Sequence, residues 1–201
     1  GHELRTPLNS ILGFSQILSM ESSGTLNEKQ REHLRNIEES GNHLLAMVND
    51  VLDLSKVEAD KMVMEKSYFD IGEMLRRAPL AVQSKAAKKG ISIETNIDPE
   101  IGLLYGDETR LKQVVFNLLS NAVKFTPGGK RIGIDAHGEG EYTVFSVWDD
   151  GEGVAQSEQE RIFKPFEQIK EGKASKTGGT GLGLSINKRI VEKHQGTISI
   201  Q

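Results

Sequence analysis

The first 66 residues place apolar side chains at a helical period. Leu4, Leu8, Ile11, Ser15 and Leu18 follow one another at alternating spacings of four and three. Leu34, Ile37, Gly41, Leu44, Val48, Val51 and Ser55 continue the alternation further on. That alternation is an a/d heptad seam, here with small residues at Ser15, Gly41 and Ser55. Between the two runs lies SMESSGTLNEKQ, polar and centred on Gly24, which reads as a turn. The pattern predicts a helical hairpin. A lone hairpin has little to cover its stripe, so we expect a second copy to complete a dimeric four-helix bundle. The alternative cover is the rest of the same chain.

Beyond residue 66 the pattern changes to mixed α/β. SYFDI is a short strand candidate. Residues 72–89 read as a helix, with Ile71, Met74, Leu75, Ala78, Val82 and Ala86 on one side. Pro79 should kink it and Gly90 stop it. ISIETNI alternates with period two, as a half-buried strand does. Asp107 can N-cap a helix that runs to about Phe125 and ends at TPGG. Its expected buried stripe is Leu111, Val114, Val115, Leu118, Leu119 and Ala122. RIGIDAH and EYTVFSVWDD are strands around the turn GEGE. Residues 157–163 read as a short helix, 168–179 as a mobile polar loop, 182–194 as a helix, and GTISIQ as the start of a last strand. The expected organisation is two domains: a helical hairpin over 1–66, then an α/β domain over 67–201 with a sheet covered on one face by helices.

Composition narrows the function. The 201 residues carry 25 Lys+Arg against 29 Asp+Glu, a net charge of −4, so there is no basic footprint for nucleic acid. Hydrophobic residues are 36% and glycines 21, which favours a core with exposed functional surface. With no cysteine there is no disulfide framework, thiolate nucleophile or cysteine metal site. No apolar run approaches the ~18 residues of a membrane span. There is no signal-peptide pattern. A cytoplasmic location is expected, with any membrane anchor upstream of Gly1.

Four stretches carry candidate chemistry. The first is HELRTPLN at residues 2–9. In a helix that includes His2, about 100° per residue turns its imidazole roughly 160° from the apolar seam, into solvent. Thr6 and Asn9 then lie within about 40° of it, and Glu3 and Arg5 flank it. An exposed imidazole beside a carboxylate suits a nucleophile, since the carboxylate holds one ring nitrogen as N–H and leaves the other to attack. A second reading is open at this point. Thr6-Pro7 also makes a good helix start, which would leave His2 in a leader.

The second stretch is NLLSNAVKFTP. Asn117, Asn121 and Lys124 share a helix face at i, i+4 and i+7, where amide oxygens and an ammonium could hold a Mg²⁺–phosphate unit. An ordinary solvated face has the same appearance. The third is DDGEGV after a strand, where glycines let a ligand approach the backbone closely; an ordinary turn would look alike. The fourth is GGTGLGLS, which runs from a loop into a helix whose first N–H groups can face phosphate, or which is a linker. Its glycines fit neither a Walker A loop nor GxGxxG. His33, His43, His137 and His194 lack metal-ligand spacing and read as structural or surface residues.

The order of these stretches is more telling than any one of them. HELRTPL, NLLSNAVKFTP, DDGEGV, FKPF and GGTGLGLS follow one another as do the H, N, first glycine, F and second glycine boxes of the sensor histidine kinases of two-component systems. The chain resembles that family over almost its whole length. The resemblance implies that the helix continues upstream of His2 and is bent by the proline, which decides for the first reading. It implies the GHKL-type (Bergerat) ATPase fold after the hairpin. It further implies that His2 is the autophosphorylated residue, that Glu3 hydrogen-bonds it and helps remove its proton, and that Thr6 positions water when the partner is dephosphorylated. Asn121 would ligate Mg²⁺, with Asn117 and Lys124 beside the ATP phosphates and Phe125 near the nucleotide. Asp149 would accept from the adenine amino group, with Gly151 and Gly153 lining that pocket. Gly179, Gly181, Leu182 and Gly183 would form the phosphate loop. Phe163 and Phe166 would anchor an ATP lid over residues 168–180. The implied partners are a second copy of the chain and the receiver domain of a response regulator.

The sequence departs from the family at Gly1, where Ser is usual, and at Asp150, where Thr or Asn is common. It stops at GTISIQ where the family adds a hairpin and another strand, so a trimmed sheet edge is expected. Three rivals weigh less. A gyrase- or chaperone-type ATPase typically has Glu at the position of Asn117, and an amide cannot act as the base. A scaffold with a degenerate site would not need Asn121, Asp149 and the loop glycines. A phosphoserine kinase of the anti-sigma type lacks the histidine-bearing hairpin.

Overall fold

The computed structural model describes residues 2–20, 24–58, 62–168 and 180–201. The chain divides into two compact units, Gly1–Met62 and Val63–Gln201.

The first unit is a hairpin of α1 (His2–Ser19) and α2 (Glu28–Glu58). Pro7 lies inside α1 and has no N–H for the carbonyl of Glu3, so the helix does not begin at Thr6-Pro7. A reciprocal capping box starts α2: Gln30 N–H donates to Asn27 Oδ1 and Asn27 N–H to Gln30 Oε1, both at 2.9 Å. The apolar seam resolves into two lines. Leu8, Leu12 and Ser15 of α1 and Leu34 and Gly41 of α2 are buried. A Cβ on Gly41 would sit 2.7 Å from Leu12 Cδ2, so glycine lets the helices close. Ser15 Oγ donates to the Leu34 carbonyl at 3.4 Å. The second line, Ile11, Leu18, Ile37, Leu44 and Val51 with Phe14 beside it, is exposed.

The second unit runs β1 (Ser67–Asp70), α3 (Ile71–Arg77), a 3-10 turn (Ala78–Ala81), α4 (Gln83–Lys88), β2 (Ser92–Ile97), β3 (Leu103–Gly106) and α5 (Glu108–Phe125). It continues with β4 (Arg131–Glu139), β5 (Tyr142–Asp149), a second 3-10 turn (Arg161–Phe163) and α6 (Gly183–Lys193). Strands β2, β4 and β5 form a mixed sheet in that order, with β2 parallel and β5 antiparallel to β4. Strands β1 and β3 pair separately and antiparallel, Tyr68 opposite Tyr105. Ile132, Ile134 and Ala136 of β4 pack into one core with Ile71, Leu75 and Val82, and with Val115 and Leu119 of α5. Trp148 lies across Gly133, where any Cβ would collide with the indole. The expected helix-covered mixed sheet is therefore present, with a small second sheet beside it.

Four local expectations are corrected. Pro79 does not merely kink a helix; a 3-10 turn separates α3 from α4. Leu118 is half-buried, and Val123 takes its place in the buried stripe of α5. The expected helix at 157–163 is a set of turns ending in the 3-10 turn. Residues 196–201 are not a strand: among the described residues none pairs with them, and period-two alternation without a ladder partner makes no strand. No helix among the described residues is long and apolar enough to cross a membrane.

Candidate functional site

Helix α5 is the spine of the site, and each third of it is fixed by a different partner. At its start Asp107 is buried as the N-cap. Its Oδ1 accepts from the Arg110 N–H at 3.0 Å and its Oδ2 from the Glu65 N–H at 2.9 Å. The Asp107 N–H donates to His194 Nε2 at 2.8 Å, so that nitrogen carries the lone pair and Nδ1 carries the hydrogen, donated to the Ile190 carbonyl at 2.8 Å. His194 thus ties the end of α6 to the start of α5, as the structural histidine expected. In the middle, Asn117 Nδ2 donates to Asn187 Oδ1 at 3.2 Å, and Asn187 Nδ2 to the Val114 carbonyl at 3.4 Å.

That amide pair puts the start of α6 against Asn117. A Cβ on Gly183 would lie 2.5 Å from Asn117 Nδ2 and 2.7 Å from Oδ1. No side chain caps α6 through its N-cap residue Leu182, whose N–H donates to Thr180 Oγ1 at 3.2 Å. An uncapped helix start bordered by glycine presents N–H groups suited to phosphate oxygens. The Leu182 side chain is itself in the core.

At the far end of α5, Lys124 is half-buried, which pushes its ammonium below the ordinary lysine value. Its Nζ lies 4.7 Å from the centroid of the Phe125 ring. Asp149 closes β5, and its Oδ1 accepts from the Gly151 N–H at 2.8 Å. A Cβ on Gly151 would collide with that carboxylate and sit 3.4 Å from the Phe125 carbonyl. Gly153 has φ +70, the left-handed region that favours glycine. Asp150 is bonded to Arg131, Nε to Oδ2 at 3.0 Å. The hydrogen bond and charge of Asp150, with Glu94 nearby, raise the guanidinium above its ordinary value.

The F box combines one buried and two more accessible apolar side chains. Phe166 is 65% exposed with φ +64, Phe163 is half-buried, and the buried anchor there is Ile162. The tie to the phosphate loop is through backbone: Phe166 N–H donates to the Gly181 carbonyl at 2.9 Å. Gly181 has φ +70, and a Cβ there would lie 2.8 Å from the Phe166 carbonyl carbon. Gly179 and most of the expected lid lie outside the described residues. In the first unit His2, Glu3 and Thr6 occupy the first turns of α1. The expected outward orientation of the His2 and Glu3 side chains lies outside the described part of the structure.

The structure therefore brings Asn117 to Gly183, and Phe125 to Gly151 and Asp149, along one helix. Asn121 is half-buried on that helix between them. Sequence reasoning missed Asn187, a polar residue within the apolar face Ile186–Ile190, and Lys89, whose ammonium meets the carbonyls at the end of α5. Among the described residues no group of three or more His, Cys, Asp or Glu side chains could hold a metal. A single amide oxygen with phosphate and water is a donor set that Mg²⁺ accepts.

Comparison with known proteins agrees with this layout. Residues 1–60 match the His Kinase A (phospho-acceptor) domain. Residues 106–201 match the Histidine kinase-, DNA gyrase B-, and HSP90-like ATPase family. The catalytic domain of histidine kinase ThkA is 34% identical with a TM-score of 0.58, and the match covers 65% of this chain and 82% of that one. The chain belongs to the histidine kinases. The circadian input-output histidine kinase CikA of Synechococcus elongatus is 38% identical over 100% of the chain. The chain spans only 27% of CikA's length. Full-length ShkA in complex with AMPPNP is 34% identical with a TM-score of 0.79, and the match covers 100% of this chain and 42% of ShkA. ThkA in complex with response regulator protein TrrA is 29% identical with a TM-score of 0.68, over 98% of this chain and 54% of ThkA. The chain thus carries the phosphoacceptor and ATPase modules of a histidine kinase, on the GHKL fold.

Proposed function

We propose that this chain is the core of an ATP-dependent protein-histidine kinase that phosphorylates His2 and passes the phosphoryl group to an aspartate of a response-regulator receiver domain. The observation that carries the reading is the convergence on α5. Asp149 with its glycine turn stands at one end and the uncapped, glycine-bordered start of α6 against Asn117, on the same chain as a phosphoacceptor hairpin. In this reading Asp149 accepts from the adenine amino group, and Gly151 and Gly153 leave room for the base beside Phe125. Asn117, Lys124 and the backbone at Gly179, Gly181, Leu182 and Gly183 hold the phosphates. Asn121 offers its amide oxygen to Mg²⁺, which when bound adds positive charge against the triphosphate. The half-buried Lys124 ammonium acts in the same sense, since it is less hydrated than an exposed one and faces its anion at lower dielectric.

Transfer is mostly positioning and electrostatics. One His2 ring nitrogen forms the N–P bond as the bond from the γ-phosphorus to the bridging oxygen breaks and ADP leaves. Glu3 takes the proton from the other ring nitrogen. The N–P bond then breaks in favour of an acyl phosphate on the receiver aspartate. Thr6 positions water for the reverse signal, hydrolysis of that acyl phosphate. The response-regulator partner is supported by the ThkA–TrrA complex. The exposed line Ile11, Leu18, Ile37, Leu44 and Val51 supports a homodimer, in which a second hairpin covers it. A need for ATP supports a cytoplasmic location for this part of the protein. The test is radiolabelling with Mg–ATP: Asn121→Asp and Asp149→Asn should each lose at least ~99% of the label while keeping the parent circular dichroism. Retained labelling in both variants would remove the nucleotide site from α5.

A further inference from the structure

Helix α5 ends at Phe125, and the last carbonyls of a helix have no intrahelical donor. The Ala122 carbonyl is met by the Thr126 N–H at 3.0 Å. The next ones are met from a distant part of the chain. Lys89, the residue after α4, brings its ammonium to the carbonyls of Val123 at 2.7 Å, Lys124 at 2.8 Å and Thr126 at 3.4 Å. An ammonium has three donors, and here three carbonyls converge on it. It also sits at the negative end of the helix dipole. The Lys89 backbone also holds the loop that follows α5. Its carbonyl accepts from the Gly129 N–H at 3.1 Å, and a Cβ on Gly128 would lie 2.8 Å from that oxygen.

The carbonyl skipped by Lys89 is that of Phe125, and it abuts Gly151 in the Asp149 turn. The final turn of α5 is thus held between Lys89 on one side and the Asp149 turn on the other. That turn carries Lys124 and Phe125, with Asn121 one turn earlier. We propose that Lys89 is a positioning residue for nucleotide binding: by fixing the end of α5 it sets the distance between Lys124 and Asn121 on the helix and Asp149 on the neighbouring strand end. The inference rests on the nucleotide-site reading above. Lys89 touches neither the nucleotide nor His2 in it.

The test is titration of the full chain with a fluorescent ATP analogue and Mg²⁺, with thermal melts alongside. Read at a temperature where the melts show each variant to be at least about 95% folded, the apparent Kd carries an unfolding contribution of only about 5%, so a merely structural cap would move the melt and leave Kd in place. Lys89→Met should raise Kd about tenfold, Lys89→Gln about threefold, and Lys89→Arg, which keeps charged donors, less than about twofold. Lys88→Met, a matched loss of charge on the exposed neighbour, should leave Kd unchanged. A lowered melting temperature with Kd within twofold for the Met and Gln variants would overturn the proposal. Where Lys89→Met does not fold, Lys89→Gln decides by the same criterion. A parent chain that fails to bind the analogue would contradict the nucleotide-site reading itself, and Lys89's role with it.

Discussion

The residues that define the site are often those whose side chains are missing. Gly183 has no room for a Cβ beside the Asn117 amide, and Gly151 none beside the Asp149 carboxylate. Gly183→Ala should therefore destabilise the second unit by about 1–3 kcal/mol, as overpacking does, and weaken ATP binding. In an Asn117→Ala background, which has already lost the bond to Asn187, Gly183→Ala should lower the melting temperature little further, because the group it clashes with is gone. A fall from Asn117→Ala to the double variant as large as that from the parent to Gly183→Ala would mean that the Asn117 amide is not what Gly183 makes room for. These glycines were legible as a motif, since the GGTGLGLS and DDGEGV spacing survives in any one-dimensional reading. What each glycine avoids was not, because Asn117 and Gly183 meet only in the folded chain. Asn187 was illegible for a related reason. A lone amide in an apolar helical face gives no sign of whether it faces water or, as here, another buried amide. Asp150 departs from the common family residue and finds a partner in Arg131, which the sequence separates from it by a whole hairpin.

At the scale of elements, periodicity read α1, α2, α5, α6 and the β4–β5 hairpin to within a few residues, because each is long enough for its period to repeat. Among the short strands, β1 and β2 were read and β3 was missed. Strand β3 is four residues, the last of them Gly106, and pairs with a strand more than thirty residues away, so nothing local marks it. The seam of the hairpin was legible as one stripe, yet only part of it is buried, and Leu12, outside the expected stripe, is buried with that part, since packing and not spacing decides which positions face the sister helix. Caps gave a mixed signal, since Thr6-Pro7 lies inside α1 rather than at its start. Asp107 was legible as an N-cap, although its second bond, to the Glu65 N–H, was not. Asp107→Ala removes both acceptors at once. It should cost about 1–3 kcal/mol, more than an exposed cap, and lower the melting temperature of the second unit. Asp107→Asn, which keeps one acceptor, should recover part of the loss. A melting temperature unchanged in Asp107→Ala would show that the cap contributes nothing.

For the whole molecule, two units of different character sit on one chain: a hairpin with an uncovered apolar line, and an α/β unit with its own continuous core. The modest apolar content is divided between them, with the hairpin leaving apolar side chains for a second copy and the second unit spending glycines on its site. The dimer is tested by light scattering. The chain should weigh twice its formula mass, and Ile37→Asp with Leu44→Asp should halve that while the ATP-analogue Kd stays at its parent value. A monomeric parent chain would leave the exposed line without its proposed cover. The central claim, that the hairpin accepts phosphate from ATP bound on α5, is tested most directly by incubating the chain with Mg–ATP and mapping the modified residue. The account predicts acid-labile, base-stable phosphate on His2 and no label in His2→Gln. Label that persists in His2→Gln, or phosphate that is acid-stable and maps to a hydroxyl side chain, would contradict it.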